Sequence, residues 1–482
     1  MNKNKSKLIP KIGLEIHLEL STKTKLLCSC LNNADEEEPN KNICSICTGQ
    51  PGVLPVLNKE AVIYAYSLAK SLNMEINRKS FFARKHYFYP DLPKNYQISQ
   101  YEIPIAIKGE VILIRENLQK KIRIRRIHLE EDTASNVHFK NFSVINFNRA
   151  GVPLVEIVTE PDLNSADEAE ALAEDLVLLA RYLNISQASA EKGQIRFEAN
   201  ISLGEKDKLG TKVEIKNIAK VQSLKAAILT EINRQKELIE KGIKIIQETR
   251  GFDEIRNVTF AQRSKEEEKD YRYFPEPDLP PLVIDKEIEN QIIEVESPWQ
   301  KRFRFLNEYN LEFYYVNILT KDKFLAHFFE EALSELHELT NDLKESKKLV
   351  INFLINDLLG LIEKLKINLS ESKIHPHEFA HVLFKFFKKE ISSKIVKEAL
   401  EKALKEEQKI EDFIKNKEKI SNIEILQEII NKIIVDNKKV VDDYLSGNFK
   451  SLEFLLGLIM KKTEGRADPQ IARQILENTL KR

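Results

Sequence analysis

Ten of the fourteen glycines and fourteen of the sixteen prolines lie before Trp299, and beyond it the chain turns to Lys, Glu, Ile and Leu. No other feature narrows the possible folds as far. Before Trp299, turn formers such as YPDLPKN and GFDEIRN separate short apolar runs, as strands joined by tight loops require. After it, KFLAHFFEEALSELHEL and ISSKIVKEALEKALKEE repeat their apolar residues at helical spacing. The expected class is α+β: an N-terminal, largely antiparallel-sheet cradle domain, an all-helical domain and a small helical tail domain. Pro275, Pro277, Pro280, Pro281 and Pro298 disfavour regular structure and mark the first domain edge. A charged stretch at 409–419 marks the second, giving expected domains 1–295, 296–410 and 411–482. A length of 482 residues is ample for three domains.

Within the first half, Glu15, His17 and Glu19 alternate with Leu14, Ile16 and Leu18, so a strand here buries one aliphatic face and presents hard ligands on the other. The pattern recurs at Arg196, Glu198 and Asn200 against Ile195, Phe197 and Ile201, and at Lys212, Glu214 and Lys216 against Val213 and Ile215. These strands are expected to build one charged floor for a metal or phosphate. In a fourth strand the apolar phase switches between Ile122/Ile124 and Ile127/Leu129, which predicts a bulge near Arg125 and Arg126. One of Glu130 or Glu131 then projects with the apolar set and needs a cation or a metal as partner. Magnesium prefers oxygen ligands, so Glu15, Glu131 and Glu214 with phosphate oxygens would suffice. His17 would suit a softer ion or a hydrogen bond. The bland alternative is the solvated side of an antiparallel sheet.

All four cysteines fall between Cys28 and Cys47, as Cys28-x-Cys30 and Cys44-x-x-Cys47. Two close pairs can deliver four thiolates to a tetrahedral zinc, closing its coordination sphere and stapling a loop poor in apolar residues. Disulfides are the alternative; the absence of a secretory segment at the start argues for a reducing, cytoplasmic setting.

Lys plus Arg and Asp plus Glu each total 75, so any polyanion must be met by local patches. No run is long and apolar enough to span a bilayer. GxxxxGK[ST] and GxGxxG are both missing, which excludes a Walker loop and a dinucleotide fingerprint. No cysteine outside the cluster can act as a glutaminase nucleophile, and no Gly/Ser-rich amidase signature occurs, so ammonia for any amide chemistry must come from another chain. In KHYFYPDLPKNYQISQYEIP, residues 85–104, Tyr87, Phe88 and Tyr89 are expected to plug the core beside a rigid turn, with base stacking as the alternative. In residues 263–282, Arg263, Lys265, Asp270 and Arg272 line an anionic site or pair on the surface.

Taken in order, IGLEIHLEL, PGVLPVLN, KHYFYPDLPKNYQISQYEIP, HLEEDTA, NFNRAGVPLVEIVTEPDL, GQIRFEANIS, KVEIKNIAKVQSLKAAI, IIQETRGFDE, DYRYFPEPDLPPL and FLLGLIMKKTEGRADP closely resemble the B subunit of the bacterial glutamyl/aspartyl-tRNA amidotransferase. The resemblance covers nearly the whole chain; only 300–445 carries few diagnostic strings. It implies an ATP-dependent ligase subunit that phosphorylates the side-chain carboxylate of Glu on mischarged Glu-tRNA(Gln), or of Asp on Asp-tRNA(Asn), for displacement by ammonia. It implies a heterotrimer with an A subunit that releases ammonia from glutamine and a small C subunit, with ATP and Mg2+, beside the structural Zn2+ read from the cysteine spacing. By motif position, Glu15, His17, Glu131 and Glu214 would be the catalytic and magnesium residues, and Glu130, Glu198 and Lys216 their neighbours at ATP. Lys85 and Lys94 would lie near the mouth of an ammonia channel, and Lys461, Lys462 and Arg466 of the basic tail would meet tRNA phosphates.

Several positions depart from the family pattern: Ser135, Asn146, Glu198, Ala219, Lys220 and Leu458. None removes Glu15, His17 or Glu131. Two other readings stay open: a non-catalytic, zinc-bearing tRNA-binding scaffold of the same complex, and an independent metallohydrolase built on the Glu/His floor.

Overall fold

The computed structural model describes residues 8–205, 208–264, 271–406, 409–414, 423–463 and 466–480. The chain divides into two compact units, Met1–Asn317 and Ile318–Arg482.

The first unit is organised by a nine-stranded sheet. From one edge its strands run Val258–Ser264, Glu248–Asp253, Val213–Ile218, Ile195–Gly204, Ile9–Glu19, Pro153–Thr159, Leu118–Glu131, Ala106–Arg115 and Glu75–Ile76. Neighbours are antiparallel except Val213–Ile218 with Glu248–Asp253, which are parallel. Alternation gives the sheet two unlike faces. Ile12, Leu14, Ile16, Ile127, Leu129, Val155, Ile157, Phe197, Ala199, Ile201 and Ile215 enter one core with the helices Lys59–Ser71, Ala166–Tyr182 and Val221–Glu240. Side-chain caps begin the first two helices: Asn58 accepts from the amides of Glu60 and Ala61, and Ser165 accepts from that of Glu168. The opposite face is left to the charged residues.

The phase switch in the Leu118–Glu131 strand is realised as expected. Val158 stands opposite Arg126 and Thr159 opposite Ile124, so Arg125 is the extra residue of a bulge. Its consequence is felt at the strand end, where His128 and Glu130 share the polar phase of Glu156 while Glu131 falls in phase with Leu129.

The proline-rich segment forms the two-residue strands Phe274–Pro275 and Leu282–Val283 and the one-turn helix Lys286–Glu289 before the helix Pro298–Asn307. The first unit nevertheless runs past the expected edge at 295, to Asn317. Trp299 is the reason, since it is buried in the core of the sheet domain. So is Arg302, whose Nη1 lies 2.5 Å from Oδ1 of the fully buried Asp175. A Ser297–Gln300 capping box with Pro298 in the first turn starts this helix, so the prolines that end the sheet region also begin an element that docks back onto it.

In the second unit the expected helices run Lys323–Thr340 and Ser393–Glu406. Phe328 and Phe379 meet edge to face at 5.5 Å between Lys323–Thr340 and Pro376–Phe387. Ile423–Asp436, Lys450–Lys462 and Pro469–Leu480 close a separate apolar cluster from Leu426 to Leu480. No described helix is long and apolar enough to cross a membrane.

Breaking a buried ion pair leaves its partner as an uncompensated charge. Arg302→Ala should therefore cost about 3 kcal/mol, the low end of the range because Arg115 also reaches Asp175. Urea unfolding of the variant against the wild type measures it.

Candidate functional site

Glu15 and Glu198 face each other across adjacent strands, and Asn200 faces Glu214 across the next pair. The three carboxylates converge, with ligand oxygens within 4.8 Å of one another. Lys216 Nζ lies 2.9 Å from Glu198 and 3.5 Å from Glu214, Asn200 Nδ2 donates to Glu15 at 2.7 Å, and Thr249 Oγ1 donates to Glu214 at 3.2 Å. Burial raises the pKa of Glu15, and the nearby Glu156, Glu198 and Glu214 raise it further against the opposing effect of Lys216. Three carboxylates gathered this closely offer the oxygen donors that a hard divalent ion prefers.

A second set lies beside the first. In register, His128 faces Glu156 and Glu156 faces His17, so one row crosses three strands. His17 Nε2 is 3.4 Å from both Glu130 and Glu156, and His128 Nε2 is 3.2 Å from Glu156. Burial opposes the charged form of His17, but the hydrogen bond and charge of Glu156, with Glu130 and Glu198, raise its pKa to about 9. His128 is raised by the same pair of carboxylates against burial. Burial works against the charge of Glu156 too, but the two imidazoles take its carboxyl well below the ordinary range. Near neutrality this half is an imidazolium–carboxylate network; taking a metal would release the proton from His17.

Lys85 is half-buried above this half, its Nζ 4.9 Å from the Tyr271 ring centre. Desolvation opposes its charge, and the charges of Glu130 and Glu156 are among those that raise its pKa. Tyr101 stacks on Tyr273 at 4.2 Å, so an aromatic wall borders the charged floor. The tyrosines from the second aromatic segment build this wall with Tyr87, whereas Phe88 and Tyr89 are exposed and plug no core. The turn at Pro90 and Pro93 carries those two rings outward. Lys265 and Asp270 lie outside the described residues.

Of the residues singled out in the sequence, the fold brings Glu15, His17, Glu130, Glu198, Glu214 and Lys216 to the polar face. It does not bring Glu131 there. The bulge puts Glu131 in the other phase, where its carboxylate lies 2.5 Å from Lys94 Nζ and accepts from the Ile98 amide at 2.9 Å. It lies there beside Cys28 and Cys47. Glu156 and His128 were missed as members of the site. A lone acid inside LVEIV was the available signal, because a charge in a central strand needs a partner.

The four cysteines come together as free thiols, their sulfurs within 4.8 Å of one another, and could bind a metal such as zinc. Cys28 donates toward Cys47, holding the Cys47 thiol down to about 5, and Lys25 Nζ at 3.8 Å adds to this. Burial pushes Cys30 up to about 11. Gly151, at φ +84, lets the backbone pass against this centre; an added Cβ would lie 3.4 Å from that of Cys47. In the tail, Lys461 and Lys462 are exposed at the end of Lys450–Lys462, and Arg466 Nε donates to the Thr463 carbonyl at 3.2 Å. Glu464, Lys481 and Arg482 lie outside the described residues.

Beyond the strand end of the floor, Glu19 Oε2 is buried with no hydrogen-bond partner among the described residues. Burial raises the Glu19 carboxyl to about 7. A raised carboxyl contributes stability that is complete below its unfolded value and lost as pH rises through the folded one. Glu19→Gln removes that loss. Its stability relative to the wild type should rise from the ordinary carboxyl range through pH 7 and reach a gain of about 2–3 kcal/mol at pH 8, read by denaturant unfolding at each pH.

Comparison with known proteins bears on the same regions. A family model described as the GatB/GatE catalytic domain matches residues 10–290, and one described as the GatB domain matches residues 328–480. The B subunit of the aspartyl/glutamyl-tRNA(Asn/Gln) amidotransferase of Persephonella marina is 42% identical over 98% of this chain and 99% of its own length. The proteins of the same name from Carboxydothermus hydrogenoformans, at 42% over 97% of this chain and 98% of theirs, and Thermotoga maritima, at 40% over 98% of both, are similar over the same extent.

Proposed function

The chain belongs to the family of aspartyl/glutamyl-tRNA(Asn/Gln) amidotransferase B subunits, and we propose that it is the subunit that uses ATP to phosphorylate the side-chain carboxylate of Glu on mischarged Glu-tRNA(Gln), or of Asp on Asp-tRNA(Asn). The observation that carries this reading is the pair of adjoining ligand sets on one sheet face of the catalytic domain. The relatives' names speak of an amidotransferase, tRNA and a subunit; the kinase step is inferred from the chemistry of the floor.

A carboxylate is a poor electrophile. In the proposed reaction a side-chain oxygen attacks the γ-phosphorus of ATP and the bond to ADP breaks. Ammonia then attacks the acyl carbon, phosphate leaves, and the nitrogen gives up a proton. Such a reaction needs alignment and charge neutralisation more than covalent help from the protein. Glu15, Glu198 and Glu214, with His17, Glu130 and Glu156 beside them, are a fitting donor set for Mg2+, which when bound would offset triphosphate charge. Lys216 and Lys85 supply fixed positive charge on either side, and the tyrosine wall limits water. Glu131 is proposed to hold Lys94 rather than to meet a metal.

The partners are an A subunit supplying ammonia and a C subunit in a heterotrimer acting in the cytoplasm. The need for an outside ammonia source supports the first, since every cysteine of this chain sits in the clustered loop. The separate apolar cluster from Leu426 to Leu480 supports treating 411–482 as a tail domain, with Lys461, Lys462 and Arg466 contacting tRNA phosphates. The four-cysteine loop is proposed to hold a structural zinc. A non-catalytic scaffold is not favoured, because it gives no reason for so many carboxylates to converge on central strands at a desolvation cost. Nor is an independent metallohydrolase, since the match covers nearly the whole length of relatives named as parts of a larger enzyme.

In the reconstituted complex, Glu15→Gln and Glu156→Gln should keep tRNA affinity and lose about 100-fold or more in formation of the ATP-dependent acyl phosphate. Undiminished phosphoryl transfer in both would remove the site assignment. For the loop, elemental analysis should find one tightly held zinc fewer in Cys44→Ser than in the wild type, and the variant should lose several kcal/mol of stability in the first unit.

A further inference from the structure

A third group of metal-type ligands stands apart from the catalytic domain, in the helical unit. Glu335 lies on the helix Lys323–Thr340, and His377 and His381 lie one turn apart on Pro376–Phe387. Their ligand atoms are within 4.8 Å of one another. His377 Nδ1 is 3.1 Å and His381 Nε2 3.2 Å from the same oxygen, Glu335 Oε1, and the two rings stand 4.3 Å apart. We propose that these three residues bind a divalent transition ion of the zinc class and clip the two helices together.

The donor chemistry suits such an ion: two imidazoles and one carboxylate are borderline ligands, and three of them leave a position for water. The spacing suits it as well. Metal–ligand bonds of about 2.0–2.1 Å in a tetrahedron put neighbouring ligand atoms ~3.3 Å apart, close to the separations seen here. The ligands are also held by the core. Phe379, between the two histidines in sequence, is fully buried and packs edge to face on Phe328, two turns before Glu335. No ion pair between Glu335 and a lysine or arginine competes for the carboxylate among the described residues. Glu335 and His381 are about a third exposed and His377 62%, so an ion can reach the site from solvent.

Cobalt titration of the full chain, stripped of metal, separates this site from the cysteine centre, because imidazole and carboxylate ligands give d–d absorption without a sulfur-to-metal charge-transfer band. The wild type should bind one more equivalent than His377→Asn/His381→Asn, and that extra equivalent should lack the sulfur band. Circular dichroism of equal amplitude shows that the variant is folded. Glu335→Gln should weaken the same equivalent by at least roughly tenfold. Zinc should raise the melting temperature of the helical unit in the wild type and leave it unmoved in the double variant. Equal stoichiometry in the wild type and the double variant, or an extra equivalent that carries the sulfur band, would overturn the proposal.

Discussion

Several carboxylates in the middle of a sheet can stay ionised only if cations or a metal stand next to them. That constraint governs the catalytic domain. Glu198 and Glu214 are held by Lys216, Glu130 and Glu156 by His17 and His128, and Asp132 by Arg149 and Arg196. The contacts of Lys216 with Glu198, of His17 with Glu130 and Glu156, and of His128 with Glu156 cross between strands, so the polar face is fixed by the same register that closes the aliphatic core beneath it. A one-residue slip would drive the carboxylates into that core and expose Leu14, Ile16 and Phe197. Fold and site therefore specify each other.

The two ligand sets differ in a way that bears on their work. Glu15, Glu198 and Glu214 offer oxygen alone, the donor type that favours a hard divalent ion. Glu130 and Glu156 stand against two imidazoles, His17, raised to about 9, and His128, raised by the same carboxylates. One half therefore presents oxygen donors and the other a proton-carrying network, side by side on one sheet face. The phosphoryl transfer proposed above would draw on both halves for alignment and charge neutralisation.

The cysteine centre solves a different problem. The chain from Cys28 to Cys47 has few apolar residues, and its four thiols gather beside the buried Lys25 and against Gly151, which allows close approach. Glu131 and Lys94 border this centre rather than the floor, which ties the end of the Leu118–Glu131 strand to the loop. Adjacent residues of one strand thus serve two places. The bulge at Arg125 decides which residue goes to which.

Much of this was legible in the chain. Period-two alternation located the strands of Glu15, Glu198 and Glu214, the phase switch located the bulge, and cysteine spacing located the thiol cluster, because each is a local consequence of backbone geometry. The helical half was equally plain from its period, and the family motifs lie in order along the chain. Local pattern could not say that Glu156 and His128 complete the floor, or that Trp299 and Arg302 belong to the first unit. Those outcomes rest on which strands become neighbours and on where a buried charge finds its partner. Both depend on residues well separated in the chain, such as Lys94 with Glu131 or His17 with Glu156, and only the closed sheet brings these together.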